Sequence, residues 1–332
     1  NITLLQINEI PESHHKYFLE IANDYFSKKR LYHGKKINYL YDLAILVDQD
    51  EKNPPSNQWA INKFIDRAES HGFRTRVITK DDYSRIAEFD ALFIRTTTVV
   101  NHYTYRFARR ATAEGLTVLD DPLSIIKCAN KVYLAELLAK AKIKTPKTMI
   151  VHKENKHLVG EALGYPCVLK LPDSAFSHGV VKIENPNELK SQVEKFFEES
   201  DLLVAQEFIQ TEFDWRIGIL NNQPFFACKY FMAKEHWQIY NWNSSQNFQG
   251  GDQAIALEEV PPVVIDTALK AANLIGNGLY GVDLKHHNDQ VIIIEINDNP
   301  SIDHGIEDNL LKDNVYDTII QYFVSEIQKK KL

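Results

Sequence analysis

Short apolar runs alternate with segments of helical period along most of the chain. Leu43-Ala44-Ile45-Leu46-Val47, within Ile37 to Asp48, predicts a buried strand. Pro54-Pro55-Ser56 then precedes a helix running to about His71, where Gly72 stops it. Arg74 to Ile78 and Phe89 to Arg95 read as two more strands. A helix from about Tyr103 to Glu114 ends at Gly115, and Leu116 to Leu119 forms a fourth strand. This order implies a small α/β domain with a largely parallel sheet. It contains no G-x-G-x-x-G loop, which argues against a dinucleotide site. Ahead of it, Phe18, Ile21, Ala22, Tyr25 and Phe26 have helical spacing, and Lys28-Lys29-Arg30 closes a packing helix. Asp120-Asp121-Pro122 reads as a linker.

Beyond the linker, strands and helices are more evenly mixed. Asn130 to about Lys142 is an amphipathic helix with Asn130 as N-cap, which puts Lys131 in the first turn, where anions collect. Pro146 to Val151 is a strand, and residues 155 to 163 form a helix stopped by Gly164. Tyr165 to Leu171 places Lys170 inside an apolar strand, where a charge needs a partner. The loop 173–179 separates it from the strand Val180 to Ile183, and such a loop can fold its N–H groups over phosphates. A helix over about 187–199 leads to the strand Leu202 to Ile209, which ends in Gln206-Glu207-Phe208-Ile209. Asp214 to Leu220, the turn Asn221-Asn222 and Pro224 to Tyr230 form a hairpin. Asp214 and Arg216 share one face, with Lys229 on the partner strand; a surface ion pair is the plain alternative. Residues 235–254 are long, irregular and aromatic, as functional loops often are. Val263 to Ile275 is a helix, Ser301 to Asp313 a loop, and Leu310 to Gln328 holds a closing helix.

The densest chemistry lies in a second hairpin, Gly281-Val282-Asp283-Leu284-Lys285 followed by Val291-Ile292-Ile293-Ile294-Glu295-Ile296-Asn297. Glu295 and Asn297 are two apart and face the same side. A two-residue loop at Asn288-Asp289 would pair Asp283 with Ile294, on the wrong face. A three-residue loop or a bulge pairs it with Glu295, and that is the register we expect. Two carboxylates and an amide oxygen on one face suit Mg²⁺ that nucleotide phosphates also hold. The bland alternative is a solvated strand end, but Glu295 follows four consecutive β-branched residues, where an unpaired charge is costly.

Composition narrows the classes. The 332 residues suggest two or three domains. A net charge of −7 with dispersed bases argues against a non-specific nucleic-acid binder. Cys128, Cys167 and Cys228 are scattered without zinc spacing and fit a reducing, cytoplasmic setting. No run reaches the length of a membrane span and no signal peptide opens the chain. It starts at Asn1 without Met, as a trimmed or fragmentary form would. Arg95, just past a strand end, is a candidate for holding a substrate carboxylate, with a surface arginine as the equal alternative.

The order of these features resembles the ATP-grasp superfamily, and within it the RimK-like carboxylate–amine ligases that add glutamate. The likeness covers about residues 120–330; Gly-Val-Asp-Leu followed by Ile-Glu-Ile-Asn-Asp-Asn-Pro is its most specific part. It implies an α/β and α+β chain. A helical extension over 1–36 would precede a pre-ATP-grasp α/β domain over 37–125 and a two-lobed ATP-grasp module over 126–332. The small lobe would span about 145–205 and the large lobe about 206–332. The resemblance further implies that Lys131 and Lys170 contact ATP phosphates. Glu207 and the Phe208 backbone would read adenine, with Gln206 nearby and Asp214 by the ribose. Asp283, Glu295 and Asn297 would hold two Mg²⁺ ions, or Mn²⁺. Arg216 and Lys229 would serve the γ-phosphate or an acyl phosphate, with Asn241 in the same space, and a second arginine-type contact would hold the acceptor. The partners implied are ATP, a carboxylate substrate and an amine acceptor (amino acid, peptide or protein tail), with a homo-oligomer left open. An ATP-binding regulator that has lost ligase activity is the alternative function. Three departures stand out. The phosphate loop is Ser-Ala-Phe-Ser-His-Gly instead of glycine-rich, an aromatic segment over 236–251 replaces the arginine-containing loop, and Ser301 takes the place of the glycine after Asn-x-x-Pro.

Overall fold

A computed structural model describes residues 10–27, 39–172, 179–234, 236–239, 250–288 and 290–331. The N-terminal unit up to Asn38 contains α1 (Glu12–Ser27), whose Tyr17, Leu19 and Ile21 are exposed. From Tyr39 the chain forms the second compact unit, built on three sheets.

The first sheet holds β1 (Tyr41–Leu46), β2 (Phe73–Ile78), β3 (Ala91–Ile94) and β4 (Thr117–Leu119), parallel in the order β2-β1-β3-β4. Leu43 to Leu46 and Ala91 to Ile94 are buried throughout, as expected of strands covered on both faces. The helices α2 (Gln58–Ser70) and α3 (Tyr103–Ala113) supply the crossovers. Asp120-Asp121-Pro122 is not a plain linker. Asp121 caps α4 (Pro122–Ala129), accepting from the N–H groups of Leu123 and Ser124, and Pro122 takes the first helical position. Asn130 caps α5 (Lys131–Lys140) by accepting from the Tyr133 N–H.

The second sheet is antiparallel, in the order β5-β8-β6-β7: β5 (Thr148–Val151), β6 (Cys167–Lys170), β7 (Val180–Ile183) and β8 (Leu203–Glu207). The short α6 (Val159–Leu163) and α7 (Pro186–Phe196) contribute Val159, Leu189, Val193 and Phe196 to its core. The third sheet runs β11-β10-β9-β12-β13. Its strands are β9 (Phe213–Leu220), β10 (Gln223–Phe231), β11 (Asp252–Ile255), β12 (Leu279–His287) and β13 (Gln290–Asn297). One face of this sheet packs on α8 (Pro262–Ile275) through Val264, Ala268 and Ala271.

The closing helix α9 (Asp313–Lys331) ties the third sheet to the first. Phe64 stacks edge-on against both Phe93 and Tyr316, and Phe93 against Phe323. Each such pair adds about 0.5–1.5 kcal/mol beyond its area burial. Arg67 makes a bidentate pair with Asp317 at 2.7 Å, locking α2 to α9 from the solvent side. Through α9, residues of the first and third sheets share one hydrophobic core.

Candidate active site

Two β-bulges decide which side chains reach the site. In the hairpin of β12 and β13, His287 pairs with Gln290, so the loop has two residues. A register shift between Asp283 and Leu284 leaves Ile294 as the extra residue, and Asp283 pairs with Glu295. In the hairpin of β9 and β10, Gln223 pairs with Leu220, but a shift between Pro224 and Phe226 moves every later pair by one. Lys229 therefore sits opposite Trp215 instead of Asp214. Its ammonium lies 4.6 Å and 5.0 Å from the Phe213 and Trp215 rings, on the face turned away from Asp214 and Arg216. The expectation that Lys229 serves the phosphate is corrected by this slip of one residue.

Between the second and third sheets lies a cavity of about 520 Å³, also walled by the loop after β3 and by α4. Lys131, Lys170, Gln206, Glu207, Phe208, Asp214, Arg216, Asp283, Glu295 and Asn297 all line it. Lys131 and Lys170 approach one another because the Lys131 N–H donates to the Pro172 carbonyl at 3.3 Å, seating the start of α5 at the exit of β6. The Lys131 ammonium is 3.4 Å from Glu295. Arg216 holds Asp283 in a bidentate pair, at 2.7 and 2.8 Å, and lies 5.0 Å from the Tyr230 ring. Lys285 pairs with Asp214 at 2.6 Å. Asn297 donates its amide to Asp283 at 3.1 Å. Gly281 lets this surface approach the next loop, since a Cβ there would stand 2.6 Å from the Pro300 side chain.

The electrostatics follow from this crowding. Burial works against the Glu295 carboxylate, but the Lys131 and Lys170 ammoniums overcome it and hold it below its ordinary range. Burial likewise opposes the Arg216 charge, and Asp283 overcomes it, keeping the guanidinium firmly protonated. Burial wins at Lys170, which falls from 10.5 to about 8. Asp298 is pushed up by burial to about 6, against the hydroxyl that Thr98 donates at 2.8 Å.

At the other end, Val168, Val180 and Met232 line an apolar slot beside Phe208 and Ile209. Lys182 sits 4.4 Å over the Phe208 ring, and Trp237 meets that ring edge-on at 5.9 Å. Gln206 is tied to Thr148 at 3.0 Å and Glu207 to the Lys147 N–H at 2.9 Å, so both fasten the end of β8 to β5 within the second sheet. Asn241 and the loop 173–178 lie outside the described residues. The second sheet runs to Glu207, two residues beyond the expected end of the small lobe. Arg95 is neither a carboxylate clamp nor a surface group. It is 1% exposed, does not line the cavity, and donates to Ser56, Asn299 and the carbonyls of Pro55 and Pro300. Lys285, Thr98 and Asp298 were not singled out from the sequence. Lys285 was readable, being two residues from Asp283 on one strand.

Asp283, Glu295 and the Asn297 amide oxygen form a hard oxygen set that fits Mg²⁺. Two carboxylates leave coordination to be completed by phosphate and water, and no group of three or more acidic, His or Cys ligands occurs among the described residues.

Residues 128–323 match the RimK-like ATP-grasp domain family. The chain belongs to that family. A probable alpha-L-glutamate ligase of Hahella chejuensis is 26% identical over 245 residues, covering 73% of this chain and 78% of its own. The alpha-aminoadipate–LysW ligase LysX of Sulfolobus acidocaldarius is 27% identical over 242 residues, covering 68% and 84%. Among solved structures, the D-alanine–D-alanine ligase of Bacillus anthracis in complex with ATP aligns with a TM-score of 0.68 at 16% identity, over 88% of this chain and 99% of that one. A RimK domain ATP-grasp protein of Sphaerobacter thermophilus aligns with a TM-score of 0.64 at 15% identity, over 85% and 99%. These structural likenesses carry the ATP-grasp fold.

Proposed function

We propose that this protein, an ATP-dependent carboxylate–amine ligase by family, forms an amide or peptide bond through an acyl phosphate. A carboxylate oxygen attacks the γ-phosphorus, the bond to the ADP oxygen breaks and ADP leaves. The amine nitrogen then attacks the acyl carbon, the bond to the phosphate oxygen breaks, and phosphate departs as the nitrogen loses its proton.

The observation that carries this reading is the convergence of Lys131, Lys170, Arg216, Asp283, Glu295 and Asn297 on one cavity. Lys131 and Lys170 would hold the phosphates, and Arg216 would follow the charge of the transferred phosphoryl group. Phe208 and its neighbours would take the adenine, with Asp214 by the ribose. Mg²⁺ (two ions, with Mn²⁺ as a substitute) held by Asp283, Glu295 and Asn297 would neutralise the β- and γ-phosphates. Asp283 and Glu295 are paired with Arg216 and Lys131, so carboxylates engaged with a metal would leave both cations to hold phosphate. The domain division of the sequence reading goes with this assignment: 37–125 as the preceding domain, 126–332 as the ATP-grasp module. Three buried free cysteines fit a cytoplasmic setting, and no helix among the described residues is long and apolar enough to cross a membrane.

The relatives' names make an amino acid, glutamate first, the acceptor to try, with a peptide or protein tail as carboxylate donor. Hydroxylamine trapping tests the intermediate. With MgATP, a pool of carboxylic acids and hydroxylamine, hydroxamate should form in step with ADP. ADP release without hydroxamate contradicts the acyl phosphate.

A further inference from the structure

The slip of one residue that carries Lys229 off the site face brings Tyr230 onto it. Tyr230 pairs with Asp214 and Cys228 with Arg216, so the tyrosine shares the face of both site residues. The Arg216 guanidinium lies 5.0 Å over the Tyr230 ring, within the range at which a ring face attracts a cation. Arg216 lines the cavity, while Tyr230 is 5% exposed and belongs to the core that the third sheet shares with α9. Arg216 is thus gripped from two directions: by the Asp283 carboxylate through two hydrogen bonds, and by the Tyr230 ring.

The ring is itself anchored. The Tyr230 hydroxyl donates to Glu307, which is 1% exposed. Burial pushes that hydroxyl well up, so it keeps its proton and stays a donor. Glu307 also accepts from the Asp303 N–H at 2.7 Å, and Asp303 accepts from the Asn57 N–H at 2.6 Å. The Ile302 carbonyl accepts from the Ser56 hydroxyl at 2.7 Å. The loop after β13 is therefore tied to the start of α2, and the tyrosine to that loop.

The two grips differ in what they leave free. A carboxylate occupies the N–H donors of a guanidinium; an aromatic ring attracts the cation and takes none of them. With Asp283 engaged with a metal, as the proposed function has it, the ring still fixes the guanidinium and its donors can face phosphate oxygens. We propose that Tyr230 is the positioning residue for Arg216: anchored by Glu307, its ring holds the guanidinium toward the transferring phosphoryl group while Asp283 is engaged with metal. The proposal rests on the assignment of Arg216 to that group and deepens it.

The test is calorimetric binding of ADP and of a non-hydrolysable ATP analogue, each with Mg²⁺, to the full chain. The two ligands differ by the γ-phosphate, so the ratio of their Kd values reads the Arg216 contact, whereas damage to the fold weakens both alike. Wild type should prefer the triphosphate, and Arg216→Met should lose most of that preference. Tyr230→Leu should lower it at least about fivefold, with ADP bound within about twofold of wild type. That variant leaves the buried Glu307 short of a donor; adding Glu307→Gln repeats the test without a buried charge and keeps an acceptor for the Asp303 N–H. Tyr230→Phe retains the ring and should keep the preference within about threefold. An unchanged preference in both leucine variants, or a loss in Tyr230→Phe as large as in Tyr230→Leu, overturns the proposal and leaves the role of Arg216 standing. Equal loss of both ligands in the leucine variants marks a purely structural role and also overturns it. A preference absent from wild type, or unmoved by Arg216→Met, overturns the Arg216 assignment and the proposal with it. Failure of both ligands to bind wild type overturns the nucleotide reading of the cavity.

Discussion

The Arg216–Asp283 pair allows stability and function to be separated in one set of variants. Both side chains are 15% exposed and joined by two hydrogen bonds. Asp283→Ala leaves a buried guanidinium without its partner, which costs about 3–5 kcal/mol for a fully buried pair. The residual exposure places the expected loss near about 3 kcal/mol. For a folded unit of this size that corresponds to a fall in Tm of roughly 6–12 °C. Replacing both members with apolar residues, as in Arg216→Met with Asp283→Leu, removes the orphaned charge and should recover most of the loss, because the isolated pair contributes little net stability. MgATP gives an independent readout. At about 100 times its Kd a ligand adds about 2.7 kcal/mol, or roughly 5–11 °C here. Wild type should show that shift, and neither variant should, since both lack Asp283. Thermal unfolding of the three proteins with and without MgATP measures all of it. A double variant no more stable than Asp283→Ala would refute the energetic account of the pair. A full MgATP shift in either variant would refute the role of Asp283.

Other consequences are simpler to check. Lys170 is held to about 8 by burial, so nucleotide phosphates should restore its proton. Above pH 8 ATP binding should take up a proton and weaken by up to about tenfold per pH unit, which calorimetry in buffers of different ionisation heat detects. Lys170 affects stability in the opposite sense: between about 8 and 10.5 the unfolded chain keeps a proton that the folded chain has lost, so this group favours the fold increasingly as pH rises. Mg²⁺ alone should leave Tm unchanged at millimolar concentration, because Asp283 and Glu295 already have cationic partners; a shift of several degrees without nucleotide would contradict that. Lys229→Met should bind MgATP within about twofold of wild type, given the lysine's place on the far face of the third sheet, and a loss beyond tenfold would return it to the site.

The bulges explain much of what the sequence could and could not convey. Alternation alone puts Glu295 beside Asn297 and Asp214 beside Arg216. It does not reveal an extra residue, and one extra residue reverses every side chain beyond it. The expected register of Asp283 with Glu295 required a longer loop or a bulge, and the bulge at Ile294 supplies it. The bulge at Phe225 had no comparable signal, and it carried Lys229 to the other face. The start of α4 is legible in the sequence, since an aspartate before a proline is a strong helix-start signal and Asp121-Pro122 carries it. The fate of Arg95 was not, because its partners Asn299 and Pro300 are more than 200 residues away in the chain.

The proposed function requires the cavity to bind MgATP and to use it in joining a carboxylate to an amine. The direct test is release of ADP and phosphate from MgATP with pooled carboxylic acids and amines, beside Glu295→Ala. Equal amounts of ADP and phosphate, stimulated only when both pools are present and lost in the variant, are the predicted result. AMP and pyrophosphate as products, or MgATP bound without any stimulated release, would contradict it.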